Sequence, residues 1–153
     1  MRRARKADGE WILPLSSRLH DFGPPSFRPR RAMDAAVARS IGAALDAPES
    51  PDPAVFVAED ETGRPLGFIH LHTQRDFFTG EVHGHVSDVV TAADAEGRGV
   101  GHALMAAGEE WSRSLGHRLL TLNVFDGNAR ARRLYAALGY EPDTMRMVKV
   151  LRD

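Results

Sequence analysis

The chain has 153 residues, no cysteine and a formal net charge of −1 at neutral pH. That length supports one core burying about 70% of the unfolded surface, near-neutrality argues against a nucleic-acid partner held by bulk charge, and the missing thiols exclude disulfides, thiolate metal centres and cysteine nucleophiles. No apolar run approaches the ~20 residues of a membrane span, and the basic start (Arg2, Arg3, Arg5, Lys6) lacks the apolar segment of a secretory signal. The expectation is therefore one cytoplasmic domain over residues 1–153, with no membrane partner.

In chain order, residues 2–7 suggest a short first strand, and Asp8 offers an N-cap to a helix with Trp11, Leu15, Leu19 and Phe22 at helical spacing. Pro14 falls early in it, and Gly23-Pro24-Pro25 ends it. A second helix is predicted from about Arg31 to Leu45 on the spacing of Met33, Val37, Ile41 and Leu45. Residues 46–53 hold three prolines without periodicity and read as loop. Strands are expected at 54–59, 65–75 and 81–91. The last of these sets His83, His85 and Ser87 on one face by its period of two. A helix over 99–115 carries Val100, Leu104, Ala107, Trp111 and Leu115 on one stripe, with Gly116 as its C-cap. A strand over 119–124, a helix over 128–138 and a last strand over 145–151 complete an α/β arrangement of the α+β type, with a mixed sheet.

The stretch Glu96-Gly97-Arg98-Gly99-Val100-Gly101-His102 joins a β-branched strand to a helix. Glycines let the backbone turn tightly and approach a ligand, and a helix N-terminus offers unpaired N–H groups and a favourable dipole to an anion. No Walker sequence is present, and a dinucleotide fingerprint fails at Leu104, although Asp126 lies where a ribose-binding acid would.

This loop resembles the [Q/R]-x-x-G-x-[G/A] motif of the GNAT superfamily of N-acetyltransferases, with Glu96 departing from its first position. A second motif of that family, N-x-x-A-x-x-L-Y-x-x-x-G-[F/Y], is similar to Asn128, Ala131, Leu134, Tyr135, Gly139 and Tyr140. The two motifs occur in order, one strand apart. The resemblance implies a central, mostly antiparallel sheet splayed between two strands and flanked by about four helices. It implies acetyl-CoA as cosubstrate and no metal. Its pantetheine arm would run along Val89, Val90 and Thr91, its pyrophosphate on the backbone of Arg98, Gly99, Val100, Gly101 and His102, with Asn128 binding the arm.

By the same resemblance Tyr135 is the general acid toward the departing thiolate, although its periodicity alone would make it core. The family's usual glutamate base falls at Ser87. Asp88 and His85 are the candidate bases, Asp88 only if a bulge turns it to the histidine face. His70 and His72 are expected on the neighbouring strand. A metal site of these four histidines has no matching ligand spacing. Asp76, Glu81 and Asp88 could form an acidic mouth, and Arg130, Arg132 and Arg133 read as a solvated face or as neighbours of the 3′-phosphate of CoA. The expected activity is direct acetyl transfer in a ternary complex to a primary amine of a small-molecule or peptide acceptor. Many relatives pair as homodimers. The irregular Glu96 and Ser87 motivate a second reading, a non-catalytic acyl-CoA sensor or partner-binding module.

Overall fold

The computed structural model describes residues 1–151. Five strands form one sheet in sequence order: β1 (Arg2–Arg3), β2 (Ala54–Glu59), β3 (Pro65–Arg75), β4 (Val82–Thr91) and β5 (Leu120–Leu122). The first four pair antiparallel, and β5 runs parallel to β4. Helices α1 (Gly9–Ser16) and α2 (Arg30–Asp46) precede the main strands, while α3 (Val100–Ser114) and α4 (Ala129–Ala137) flank β5 in sequence.

Apolar residues on the two faces of the sheet make two separate cores, as a sheet covered on both faces requires. On one face Ile69, Leu71 and Val86 pack with Val100, Leu104, Met105 and Trp111 of α3. On the other, Val57, Phe68 and Val90 pack with Ile12 of α1 and Ile41, Ala44 and Leu45 of α2. Gly108 lets α3 cross the sheet closely, since a Cβ there would lie 3.0 Å from Ile69 Cδ1.

Most expected elements form, with local differences. The first helix tightens after Ser16 into a 3₁₀ turn, Ser17–His20, and Ile12 is its fully buried residue. Asp8 precedes α1 but makes no side-chain cap; its carboxylate instead binds Arg2 (2.7 Å) and accepts from the Arg5 amide (2.6 Å). On α3 the buried stripe takes Met105 and Gly108 in place of Ala107 and Leu115, so the helix turns toward the sheet a face rotated from the expected one. The expected strand over 145–151 is a correction: Met145–Leu151 has no regular secondary structure, and Met145 and Met147 are each 85% exposed. Its alternating pattern suits a strand, but β5 is three residues long and ends the sheet, leaving too little edge to pair.

Candidate active site

The parallel pairing of β4 with β5 covers only Gly84–Val86 against Leu120–Leu122. Beyond it, Ser87–Thr91 has no strand partner on that side among the described residues, so the expected splay is present. Backbone groups facing such a gap are open to a ligand that adds like a strand.

At the end of β4 a 3₁₀ turn, Ala93–Ala95, leads into the glycine loop. Gly97 and Gly99 have φ of 72° and 78°, the left-handed region where a side chain is strained. Gly101 has another reason: a Cβ there would stand 3.2 Å from Leu134 Cδ2, so α4 can lie close to the start of α3. The first α-helical amide bond of α3 runs from Ala103 N to the Gly99 carbonyl (3.0 Å). The preceding amides at the helix start are the donors a pyrophosphate would take, and the open space around Gly97 and Gly99 suits its approach.

Glu96 carries its charge without spoiling this anion cradle. Its carboxylate binds Arg18 Nη2 at 2.6 Å and Arg130 Nη1 at 2.5 Å. The hydrogen bond from Arg130, followed by the charges of both arginines, holds its carboxyl below the usual carboxylate range. Two cations thus neutralise it, and it ties the turn after α1 to α4 across the loop. Arg132 in turn binds Asp126 (2.8 Å).

The strand ahead of the loop contains the bulge on which Asp88 depends. The register runs from Leu71↔Val86 to His70↔Asp88 and skips Ser87. A bulge of this kind shifts the alternation by one residue, so Asp88 stands on the α1–α2 face with the histidines instead of following Val86. His70 Nδ1 donates to Asp88 Oδ2 at 2.9 Å, with both residues buried. His72 Nδ1 lies 2.6 Å from Ser87 Oγ and its Nε2 2.8 Å from the Gln74 amide. The rings of His72 and His85 are 5.2 Å apart, and His85 Nδ1 lies 2.8 Å from Thr121 Oγ1. His83 is buried, and its Nδ1 has no hydrogen-bond partner among the described residues.

Burial first, then the neighbouring His72, pushes His85 down from 6.5 to about 4, so it is neutral at pH 7. His72 is lowered too, by burial and then by His70. Among the described residues no three acidic or histidine side chains group as a metal site. Asp76 is engaged in its own turn, accepting from Thr79 N (2.7 Å), and Glu81 meets Arg118 (3.3 Å), so neither contributes to a mouth beside Asp88.

Tyr135 packs against the α3-side core, and burial, then the negative charge of Asp88, raises its phenol to about 12. Asn128 caps α4, its Oδ1 accepting from Ala131 N at 3.1 Å, which leaves its side-chain NH2 as the donor toward a ligand. An open hollow of about 420 Å³ lies behind His70 and His72, bounded by Ser40, Ala43 and Asp52. A hollow of about 480 Å³ at the β1 edge includes Phe56 and Trp111 and holds no motif residue.

Sequence reasoning missed the partners of Glu96, the bond from His70 to Asp88, and the contact of Phe22 with Phe125 across the mouth (centroids 5.0 Å apart). For the bulge there was a signal, since Ser87-Asp88 places two polar residues in succession within an alternating strand. The ion pairs join residues far apart in sequence and left none.

A splayed sheet with a glycine loop leading into a helix at one end is the frame of an acyltransferase that takes its acyl group from acetyl-CoA. The acetyltransferase (GNAT) family model matches residues 19–140, and the chain belongs to that family. It is 28% identical over 145 residues to the uncharacterized N-acetyltransferase YhfO of Bacillus subtilis (strain 168), spanning 94% of this chain and 91% of the relative. An aminoglycoside N(6')-acetyltransferase type 1 of Stenotrophomonas maltophilia is 31% identical over 98 residues, which is 62% of this chain and 63% of that protein. Among solved structures, the aminoglycoside N-acetyltransferase AAC(6')-Iy in complex with CoA superposes with a TM-score of 0.70. It covers 99% of this chain and 92% of its own at 22% identity, a likeness of fold.

Proposed function

We propose that this chain transfers acetyl directly from acetyl-CoA to a primary amine of a small molecule, within a ternary complex. The observation that carries this reading is the splay itself: β4 pairs with β5 only over Gly84–Val86, and the free end of β4 leads into the glycine loop at the start of α3. When bound, acetyl-CoA supplies the activated acetyl thioester. Arg98, Gly99, Val100, Gly101 and His102 hold its pyrophosphate through backbone N–H groups. Val89, Val90 and Thr91 pair with the pantetheine amides, and Asn128 donates to that arm.

In the transfer a C–N bond forms and the C–S bond breaks. The amine proton passes to Asp88, directly or through water, with His70 holding the carboxylate in place by its Nδ1–H. The Val89 or Val90 N–H stabilises negative charge on the carbonyl oxygen. Tyr135 gives its proton to the departing thiolate. His85 is the second candidate base: its Nδ1 lies at Thr121 Oγ1, and burial keeps its imidazole neutral at pH 7. The test is thiol release from acetyl-CoA across a broad panel of amines, and no release with any amine would sink the reading. Asp88→Asn is expected to remove most turnover. His85→Gln is expected to keep it, and a larger loss in the His85 variant would reverse the assignment of the base.

A further inference from the structure

The segment from Ser17 to Arg30 walls the cleft from the α1–α2 side, and its arginines differ. Arg18 is bound to Glu96. Arg30 donates to Asp21 Oδ1 (2.7 Å) and to the Ser17 carbonyl (2.9 Å). Asp34, the other acid nearby, is engaged by His20 at 2.6 Å and by Arg30 Nε at 3.7 Å. Arg28 is the exception in having no ion pair among the described residues, and its Nε, like that of Arg18, is buried without a hydrogen-bond partner.

Its guanidinium stands 5.5 Å from the ring centre of Phe27 and 5.8 Å from that of Phe125. Phe125 follows β5, and it stacks on Phe22 from the opposite wall. Arg28 therefore sits where the N-terminal segment meets the far side of the splayed gap. Its backbone is fixed as well. Arg28 N donates to the Pro25 carbonyl (2.9 Å), Gly23 makes the preceding left-handed turn (φ 85°), and Pro29 caps the start of α2.

A buried donor left unmatched is costly. A planar guanidinium matches the two oxygens of a carboxylate, and its aromatic neighbours reduce its hydration while supporting its charge. The surrounding acids are spent: Asp88 on His70, Glu96 on two arginines, Asp21 and Asp34 on Arg30 and His20. No free carboxylate among these remains to greet a polycation. We infer that Arg28 is a specificity-determining residue that receives the carboxylate of the acceptor, making the preferred substrate an amino-acid-like amine and not a polycationic amino sugar. This rests on the acetyl-transfer reading above.

The experiment measures thiol release with the protein amino acids, each beside its α-carboxamide, together with phosphoethanolamine and kanamycin. The best amino acid is expected to exceed its amide in kcat/KM by about ten-fold or more. Arg28→Gln is expected to bring it down to the level of the amide while the KM for acetyl-CoA stays the same. Arg28→Lys keeps the charge and the stem but loses the fork, and should fall between; it supplies the comparison if the Gln variant folds poorly.

Equal use of amides or kanamycin by the wild type would overturn the inference and leave acetyl transfer standing. So would a rise in the KM for acetyl-CoA shared by every acceptor, which would give Arg28 to the cosubstrate. A preference for phosphoethanolamine would overturn the carboxylate in favour of a phosphate. Calorimetric binding of N-acetyl amino acids to the CoA-loaded protein reads the site without turnover. Binding that is lost in Arg28→Gln, with no amine acetylated, would support the carboxylate site and count against the enzyme reading alone; absence of binding would overturn the site.

Discussion

Tyr135 keeps its proton at any pH the protein meets in a cell, since burial and the charge of Asp88 hold the phenol at about 12. Removing only its hydroxyl leaves the ring in the α3-side core. Tyr135→Phe is thus expected to lower kcat by about 10²-fold or more, the usual contribution of general acid catalysis, with the thermal midpoint little changed. Unchanged turnover would return Tyr135 to a purely structural part. His85 makes a prediction of the opposite kind, on stability. Its pKa is lowered from 6.5 to about 4 in the fold, so the unfolded chain binds the extra proton first. The stability it contributes is fully present above pH 6.5 and is lost as pH falls from there toward 4, by at most about 3 kcal/mol. His85→Gln should flatten the fall in midpoint between pH 7 and pH 5; an equally steep fall would show that other groups cause it. At this scale residue identities were legible in the sequence, and roles depended on geometry. The two motifs pointed to Tyr135 and Asn128 directly. Whether Asp88 shares the face of His85 waited on a bulge, because one skipped residue decides which face a side chain takes.

Elements were legible where periodicity was strong and misleading where a partner was needed. Helix α2 appears almost as its spacing of Ile41 and Leu45 implies, whereas Met145–Leu151 alternates well and still forms no strand. A strand is a property of two segments, and nothing in the last residues says how long β5 will be. The Arg18–Glu96–Arg130 clasp is likewise a relation between elements, joining the turn after α1 to α4 over the glycine loop. Its carboxyl titrates below the usual carboxylate range, so the clasp is intact above about pH 4.5 and is lost as pH falls below that. Its groups are partly exposed, so salt should screen it. Glu96→Gln is expected to lower the thermal midpoint by about 1–4 °C at low ionic strength, with the difference largely gone in 1 M sodium chloride. The same deficit at both salt concentrations would mean that Glu96 acts through packing.

Across the whole molecule, the two cores are complete on either face of β3 and β4, while the β4–β5 junction is held by three residue pairs. A ligand bridging the start of α3, the free end of β4 and α4 would therefore join the parts with the fewest contacts of their own. Anything that binds only the folded state adds RT ln(1 + [L]/Kd), about 2.7 kcal/mol at a hundred times Kd, and in a chain of this size each kcal/mol moves the midpoint by about 2–4 °C. Acetyl-CoA at that excess is expected to raise the midpoint by roughly 5–10 °C. Gly99→Ala separates this gain from ordinary packing. No atom lies within 4 Å of the added Cβ, so the fold has room for it, but the position has φ of 78° and the substitution strains the loop by about 1 kcal/mol. The variant should melt only a few degrees lower without ligand and lose most of the acetyl-CoA shift, because relief of that strain turns the cradle amides away from the pyrophosphate. A full shift in Gly99→Ala would move the pyrophosphate off this loop, and with it the reason for the run of glycines between β4 and α3.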